Sequence, residues 1–433
     1  MTRLVLAGGR LIDPASGRDE PGDLAIEGGR IDAIGTPGKV GPADRTMDCR
    51  GRIVAPGFID LHVHLREPPL EGGERGDLPE TIATGAAAAV AGGFTTVCAM
   101  PNTQPPIDSA DAVAYYRRQA DEAGLARVMP VGCMTRGRAG RQPADLAAMF
   151  RAGAVAFSDD GSDVADAAVF EQVLGEAARL GALALCHCED AALAAGGVIN
   201  DGPLATALGL PGIPPEAEEA AVERACDAAA RTGCRVHICH VSTEGAVAIL
   251  RRAKAAGAPV TAEASPHHLA LTGEALASRD AVFKVSPPLR SGHDVDAVLH
   301  AVRDGTIDCL ATDHAPHSAE AKARRLAEAP AGMIGLESAL AVYVRALVET
   351  GLLTWPQLLA RMTFTPARVL GIGAGTLSVG APADVAIIDP DARWTIDPHR
   401  FRSRARNCPF AGWGVRGRVA TTIVGGMCVY ESP

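Results

Sequence analysis

The sequence predicts an α/β protein: a (β/α)8 barrel of the TIM type, joined to a small β domain that both chain termini build. Three observations lead there. Eight short β-prone runs alternate with Ala-rich helical segments through the middle of the chain. Side chains able to hold a metal recur where those runs end. Both termini have a turn-punctuated β texture that the middle lacks.

The runs are 57–64, 95–101, 127–134, 154–160, 183–188, 235–241, 260–266 and 308–313. Helical segments are expected at 80–91, 107–123, 163–180, 216–232, 244–256 and 337–349. Strands that alternate regularly with helices favour a closed parallel barrel. The rival, an open doubly wound sheet, lacks its Gly-rich phosphate fingerprint here. At the termini, LVLAGGRLID, DLAIEGGRIDAIG and TMDCRGRIVAPG find counterparts in GTLSVG, DVAIID and VATTIVGGMCVYE. Two GGR turns between apolar residues are hairpin signals. The expected division is a small β-sandwich domain from 1–55 and 371–433, around a catalytic barrel at 56–370.

Composition narrows the function. With 47% hydrophobic and 21% charged residues the chain reads as a globular enzyme rather than a disordered one. A net charge of -10 gives no reason to bind nucleic acid or an anionic membrane. The 11 cysteines form no CxxC pair, so neither a zinc knuckle nor a disulfide framework is signalled. The first residues read as strand and turn rather than as a signal peptide, and no apolar run has membrane-spanning length. A cytoplasmic location is expected.

Active sites of such barrels sit at the C-terminal ends of the strands. His62 and His64 end the first run, Asn102 follows the second, Asp160 ends the fourth, His187 the fifth, His240 the sixth and Asp313 the eighth. Alternation puts His62 and His64 on one face, with Ile59, Leu61 and Val63 towards the helices. It turns Asp159 outward with Val155 and Phe157, and Asp160 inward. His240, rather than His237, shares a face with Val236 and Ile238, and Cys186, Cys188 and Cys239 fall on the face opposite the neighbouring histidines. Imidazole and carboxylate together suit zinc. A single barrel histidine is usually structural, but this set at five strand ends points to a metal site.

The motifs GFIDLHVHLREP (57–68), AGGFTTVCAMPNTQP (91–105), AFSDDG (156–161), HCED (187–190) and HICHVST (237–243) resemble the dihydroorotase signature within the amidohydrolase superfamily. The resemblance continues through SPHHLALT (265–272), ATDHAPHS (311–318), GLES (335–338), ADVAIID (383–389) and NCPFAGW (407–413). It implies a zinc-dependent, reversible cyclisation of N-carbamoyl-L-aspartate to (S)-dihydroorotate in pyrimidine biosynthesis. One or two zinc ions are implied, two being favoured: His62 and His64 on one, His187 and His240 on the other, and Asp160 bridging in place of a carbamylated lysine. Asp313 is implied to touch the first zinc and to act as general base and acid. Arg66, Asn102 and His317 are implied to hold substrate, beside a loop at Ala331 and Gly332.

Two departures stand out. Ser286 occupies a place where many relatives carry Asn, which puts its substrate-binding role in doubt, and the stretch 68–79 is longer than usual. The alternatives are another cyclic amidohydrolase, of allantoinase or dihydropyrimidinase type, or a non-catalytic partner of aspartate carbamoyltransferase. A homodimer is expected, and association with aspartate carbamoyltransferase is compatible with activity.

Overall fold

The computed structural model describes residues 2–68 and 78–433, so most of the 68–79 stretch lies outside the described residues. Eight parallel strands follow one another in space as in sequence: Phe58–Val63, Phe94–Ala99, Arg127–Gly132, Ala156–Phe157, Leu183–Cys186, Arg235–Ile238, Val260–Ala264 and Cys309–Leu310. The chain closes this sheet just past its last strand. Val63 and His314 form a parallel bridge, and His64 N–H donates to His314 O at 2.8 Å. Beneath that bridge the buried Asp60 carboxylate accepts from His62 N–H at 3.0 Å and Thr312 N–H at 3.1 Å. Two N–H groups that the irregular junction leaves without ladder partners are satisfied by one side chain.

Helices begin where capping residues permit. Thr81 makes a capping box with Thr84 on Ile82–Ala91, Asp166 accepts from Ala168 and Val169 N–H on Ala167–Leu180, and Ser291 pairs with Asp294 on Gly292–Asp304. Small side chains let these helices lie close to their neighbours. A Cβ on Gly92 would stand 2.1 Å from Leu336 O. Helices beyond the sequence expectation include Leu146–Ala152, Gly292–Asp304, Trp355–Met362 and Phe364–Leu370. Three of these are short, 7 or 8 residues, so periodicity gives little sign of them; Gly292–Asp304, at 13 residues, buries Val298, Ala301 and Val302 on one face. The segment expected to be one helix at 337–349 is an α-helix, Ala339–Tyr343, continued by a π-turn, Val344–Val348.

Both termini join in one hydrogen-bonded sheet. Ile53–Pro56 is its seam, parallel to Leu4–Asp13 on one side and antiparallel to Val385–Thr395 on the other. Arg18–Glu27 and Arg30–Gly35 extend it one way, Gly414–Val424 and Met427–Glu431 the other, and Arg45–Asp48 pairs with Leu4–Asp13. The GTLSVG stretch runs as loop, with Leu377 buried in the sheet's apolar cluster. Asp384 joins sheet to barrel by accepting from the Arg127 guanidinium, Nε at 3.1 Å, and from Gly425 N–H at 2.7 Å.

The closure contact has a measurable consequence. Leaving a buried N–H unpaired costs about 1–3 kcal/mol. Asp60→Ala strands two of them, so it is expected to lower the unfolding free energy by about 2–5 kcal/mol. Urea unfolding checks this; a loss below about 1 kcal/mol would show that water or backbone rearrangement replaces the carboxylate.

Candidate metal centre

The first strand delivers its histidines by breaking the regular ladder. Asp60 pairs with Val97 and Val63 with Ala99, so three steps along this strand match two on its neighbour. Such a bulge re-aims side chains. Val63 packs with the helices as expected, but Ile59 and Leu61 do not. They cluster with Cys98, Leu185 and Cys309 from other strands and with Val369 and Leu370, which places them inside the barrel. The extra residue allows Leu61 and His62 both to face inward.

The sixth strand departs from alternation too. Val236 and Ile238 lie in the outer cluster, whereas Cys239 belongs to the interior one, contrary to the expected opposite face. His240 shares no face with Val236 and Ile238. It turns inward through a backbone with φ of 36°, and Asp313 reaches the same space with φ of 47°. Non-glycine residues rarely adopt such angles, and when they do the site is often functional. Cys186 and Cys188 do lie in the outer cluster. Burial pushes the Cys239 thiol up to about 12, which suits a packing thiol better than a thiolate ligand.

These turns bring the six expected side chains together. Asp160 Oδ1 lies 3.2 Å from His62 Nε2, 3.8 Å from His187 Nδ1 and 3.9 Å from His240 Nε2, while its Oδ2 lies 3.6 Å from His64 Nε2. Asp313 Oδ1 is 3.1 Å from His64 Nε2 and 3.5 Å from His62 Nε2. His187 Nδ1 and His240 Nε2 stand 3.0 Å apart. The ligand atoms of His62, His64 and Asp313 lie within 4.8 Å of one another, as do those of His62, Asp160 and His240. All are buried, and His62 Nε2, Asp160 Oδ1 and His240 Nδ1 have no hydrogen-bond partner among the described residues. The orphaned His62 Nε2 and Asp160 Oδ1, 3.2 Å apart in one buried space, suit a divalent cation.

The electrostatics agree. Burial alone would raise the Asp313 carboxyl, but His62, His64 and His240 more than offset it and hold it well below the ordinary carboxylate range. Asp160 is held down likewise, against burial, by His62, His240 and His64. Burial lowers His64, and burial with His240 lowers His187, whereas at His62 and His240 the adjacent Asp160 and Asp313 outweigh burial and raise the rings. Asp159 is separate. It accepts from Met134 N–H at 2.9 Å, Thr135 N–H at 3.1 Å and the Thr135 hydroxyl, and so fixes the turn after the third strand.

The remaining expected residues surround the cluster unequally. Asn102 Oδ1 accepts from His64 Nδ1 at 2.8 Å, and its Nδ2 donates to Asp160 Oδ2 at 3.2 Å, so Asn102 orients the cluster itself. Arg66 Nε donates to Pro316 O at 3.1 Å. His317 Nε2 donates to Ala331 O at 2.8 Å, and burial and Arg66 bring its ring down to about 3. Gly332, with φ of 125°, lies against Ala315 and His317; a Cβ there would come within 2.8 Å of the Ala315 Cβ. Ser286 Oγ donates to both oxygens of Glu189, at 3.2 and 3.1 Å.

Four residues near the site carried no expectation. Glu189 follows His187, Arg138 donates to Asp160 O, His267 Nε2 lies 3.7 Å from Asp313 Oδ2, and Glu263 faces His62. Alternation from Thr261 to Glu263 could have revealed the last. The other three lie on short helical turns or loops past the strand ends, where strand alternation gives no signal.

Comparison with known proteins agrees with this chemistry. The dihydro-orotase-like family profile matches residues 51–246. A dihydroorotase of Pelotomaculum thermopropionicum is 47% identical over 99% of both chains, and one of Geobacter metallireducens is 44% identical with the same coverage. Among solved structures, an L-hydantoinase (dihydropyrimidinase) from Arthrobacter aurescens superposes with a TM-score of 0.86 at 28% identity, covering 100% of this chain and 96% of its own. A D-hydantoinase structure gives a TM-score of 0.83 at 26% identity, covering 99% and 95%.

The adjacent aspartates separate two roles. Asp160→Ala is expected to purify with little metal, because four imidazoles lose their shared carboxylate. Asp159→Asn is expected to keep its metal and to lose about 1 kcal/mol of stability through the weakened turn. Metal analysis with melting curves checks both; metal loss confined to Asp159→Asn would reverse the assignment.

Proposed function

The chain belongs to the dihydroorotase family and is a cyclic amidohydrolase, and on that premise we propose that it interconverts (S)-dihydroorotate and N-carbamoyl-L-aspartate, using zinc, in de novo pyrimidine biosynthesis. The observation that carries the substrate assignment is Arg66. It stands two residues past His64, and only its Nε is tied to the backbone at Pro316 O. One terminal nitrogen also lies 3.5 Å from His317 Nε2, and a guanidinium so placed can grip a carboxylate bidentately, a strong and geometrically selective contact. Dihydroorotate and N-carbamoyl-aspartate carry that carboxylate; dihydrouracil and hydantoin do not.

In this reading two zinc ions would be held, one by His62, His64 and Asp313, the other by His187 and His240, with Asp160 between them. Bound zinc supplies a water whose pKa falls from about 15.7 to about 7 and polarises a carbonyl oxygen. The protein's own residues do the rest. Arg66 binds the substrate carboxylate, Asn102 holds His64 in register, and Ala331 and Gly332 form a wall that Asn407 fixes by donating to Ala315 O and Gly332 O. Asp313 is ionised and buried, so it can take the proton of the attacking water as the ring C–N bond is broken. It then returns that proton to the leaving nitrogen, and the second proton of the water passes to solvent, leaving a carboxylate and a ureido group. In the biosynthetic direction Asp313 takes the proton from the ureido nitrogen and passes it to the departing oxygen.

The solved neighbours favour a second reading, hydrolysis of hydantoins or dihydropyrimidines. The higher identity to dihydroorotases and the Asp160 bridge favour the first. A scaffold-only role fits poorly with a chain that keeps every member of the cluster.

Purified enzyme is therefore expected to turn over dihydroorotate well and dihydrouracil little. Arg66→Ala should lose most of its efficiency on dihydroorotate while affecting any carboxylate-free substrate far less. Preference for dihydrouracil, or normal dihydroorotate hydrolysis by Arg66→Ala, would remove the assignment and leave the metal-hydrolase chemistry standing. Asp313→Asn is expected to slow both directions by about 10²-fold or more, since the amide cannot accept the proton. Near wild-type turnover in a steady-state assay would take Asp313 out of the proton path.

A further inference from the structure

Deeper in the barrel than the cluster lies a chain of polar groups that the mechanism leaves unused. His62 Nδ1 is 2.9 Å from Glu263 Oε1, Glu263 Oε2 is 3.1 Å from His237 Nε2, and His237 Nδ1 is 2.7 Å from Thr261 Oγ1. These four groups come from the first, sixth and seventh strands. Both imidazoles are fully buried, and Glu263 is 1% exposed. Around them the interior is apolar: Ile59, Leu61, Leu185, Cys239 and Cys309.

We propose that Glu263, braced by His237 and Thr261, is a positioning residue that locks His62 with its proton on Nδ1 and its Nε2 lone pair turned to Asp160 and Asp313, and so sets how tightly this half of the cluster holds zinc. The inference rests on the metal reading given above and extends it one layer inward.

Four observations carry it. Each carboxylate oxygen of Glu263 meets one ring nitrogen, and a carboxylate accepts, so His62 carries its proton on Nδ1. The opposite nitrogen, Nε2, is the one left without a hydrogen-bond partner, 3.2 Å from Asp160 Oδ1. His64 is held in the same sense by Asn102 Oδ1, so both rings of the pair present Nε2. The two supports differ in charge: Asn102 is a neutral acceptor and Glu263 an anionic one, which makes His62 the more basic ligand. Finally, a carboxylate in an apolar interior is costly, and an apolar residue would pack the same space at less expense. His237 and Thr261 hold the second carboxylate oxygen in place, so the first cannot swing away from His62.

The test compares holoenzyme variants by zinc retained across a chelator titration and by melting of the stripped protein. Glu263→Gln keeps the shape and can still accept from His62, but it removes the charge. It is expected to release zinc at about 10–100-fold lower chelator concentration, the usual range for losing such a support. Its stripped form should melt no lower than stripped wild type. His237→Gln keeps an amide donor for Glu263 Oε2 and is expected to retain zinc within about threefold of wild type, well inside that range. Wild-type zinc retention in Glu263→Gln, with or without a lower melting temperature, overturns the proposal and leaves Glu263 a packing residue. If Glu263→Gln does not accumulate folded, Glu263→Asp carries the test: it keeps the charge but falls one carbon short of His62, and unchanged retention there has the same meaning. Wild-type protein that holds no zinc would instead defeat the metal reading itself, so the two failures are distinct.

Discussion

Two buried carboxylates, Asp160 and Asp313, set the terms for the rest of the barrel mouth. Moving a carboxylate out of water costs several kcal/mol after relaxation unless opposite charge or donors surround it. Here the compensation is a ring of imidazoles from the first, fifth and sixth strands, all within 4 Å of one oxygen or another. No single strand can supply such a ring. It requires a closed sheet, and closure in turn depends on Asp60 and the Val63–His314 bridge directly beneath the first histidine pair. The same few residues therefore shut the barrel and aim the site.

That coupling explains where sequence reasoning succeeds and where it fails. The eight strands and the order of the barrel are legible because each strand is a short apolar run bounded by polar residues, and helical segments separate them. The members of the cluster are legible because they stand at strand ends. Face assignment is less so. It assumes a period of two, and the assumption fails in the first strand, where a bulge turns Leu61 inward beside His62, and in the sixth, where a left-handed backbone at His240 reverses the expected face. At Asp159 and Asp160 the rule separates the pair as it should, because Ala156 and Phe157 still alternate immediately before them. Glu263 and His237 are not legible as a pair, since nothing in spacing shows that adjacent strands will put them in register.

The residues proposed to hold substrate are built differently from those proposed to hold metal. Arg66, His317, Ala331 and Gly332 sit on loops, and much of what fixes them comes from a distant part of the chain. Asn407 accepts from His317 N–H at 3.2 Å and donates to the carbonyls of Ala315 and Gly332. Glu337 accepts from Ser403 N–H at 2.9 Å and so anchors the segment that carries Asn407. Loops over a rigid barrel can change specificity without disturbing the strands. This division fits a superposition on hydantoinases that extends over the whole fold while identity stays at 28% or below.

The positions where the backbone is least comfortable are the last step in that logic. Among non-glycine residues, His240 and Asp313 take left-handed angles inside the cluster, and such residues cost of order 1–3 kcal/mol each. Regular strands would have spared that cost but would have turned both side chains away from Asp160. Hydrogen bonds among these side chains are few: among the described residues, His240 Nδ1, His62 Nε2 and Asp160 Oδ1 have none. His62 Nε2 and Asp160 Oδ1, 3.2 Å apart, are placed to share the cation that the proposed function calls for. The strain and the orphaned atoms thus meet at one place: the strand ends gather more buried ligand atoms than the neighbouring protein groups satisfy.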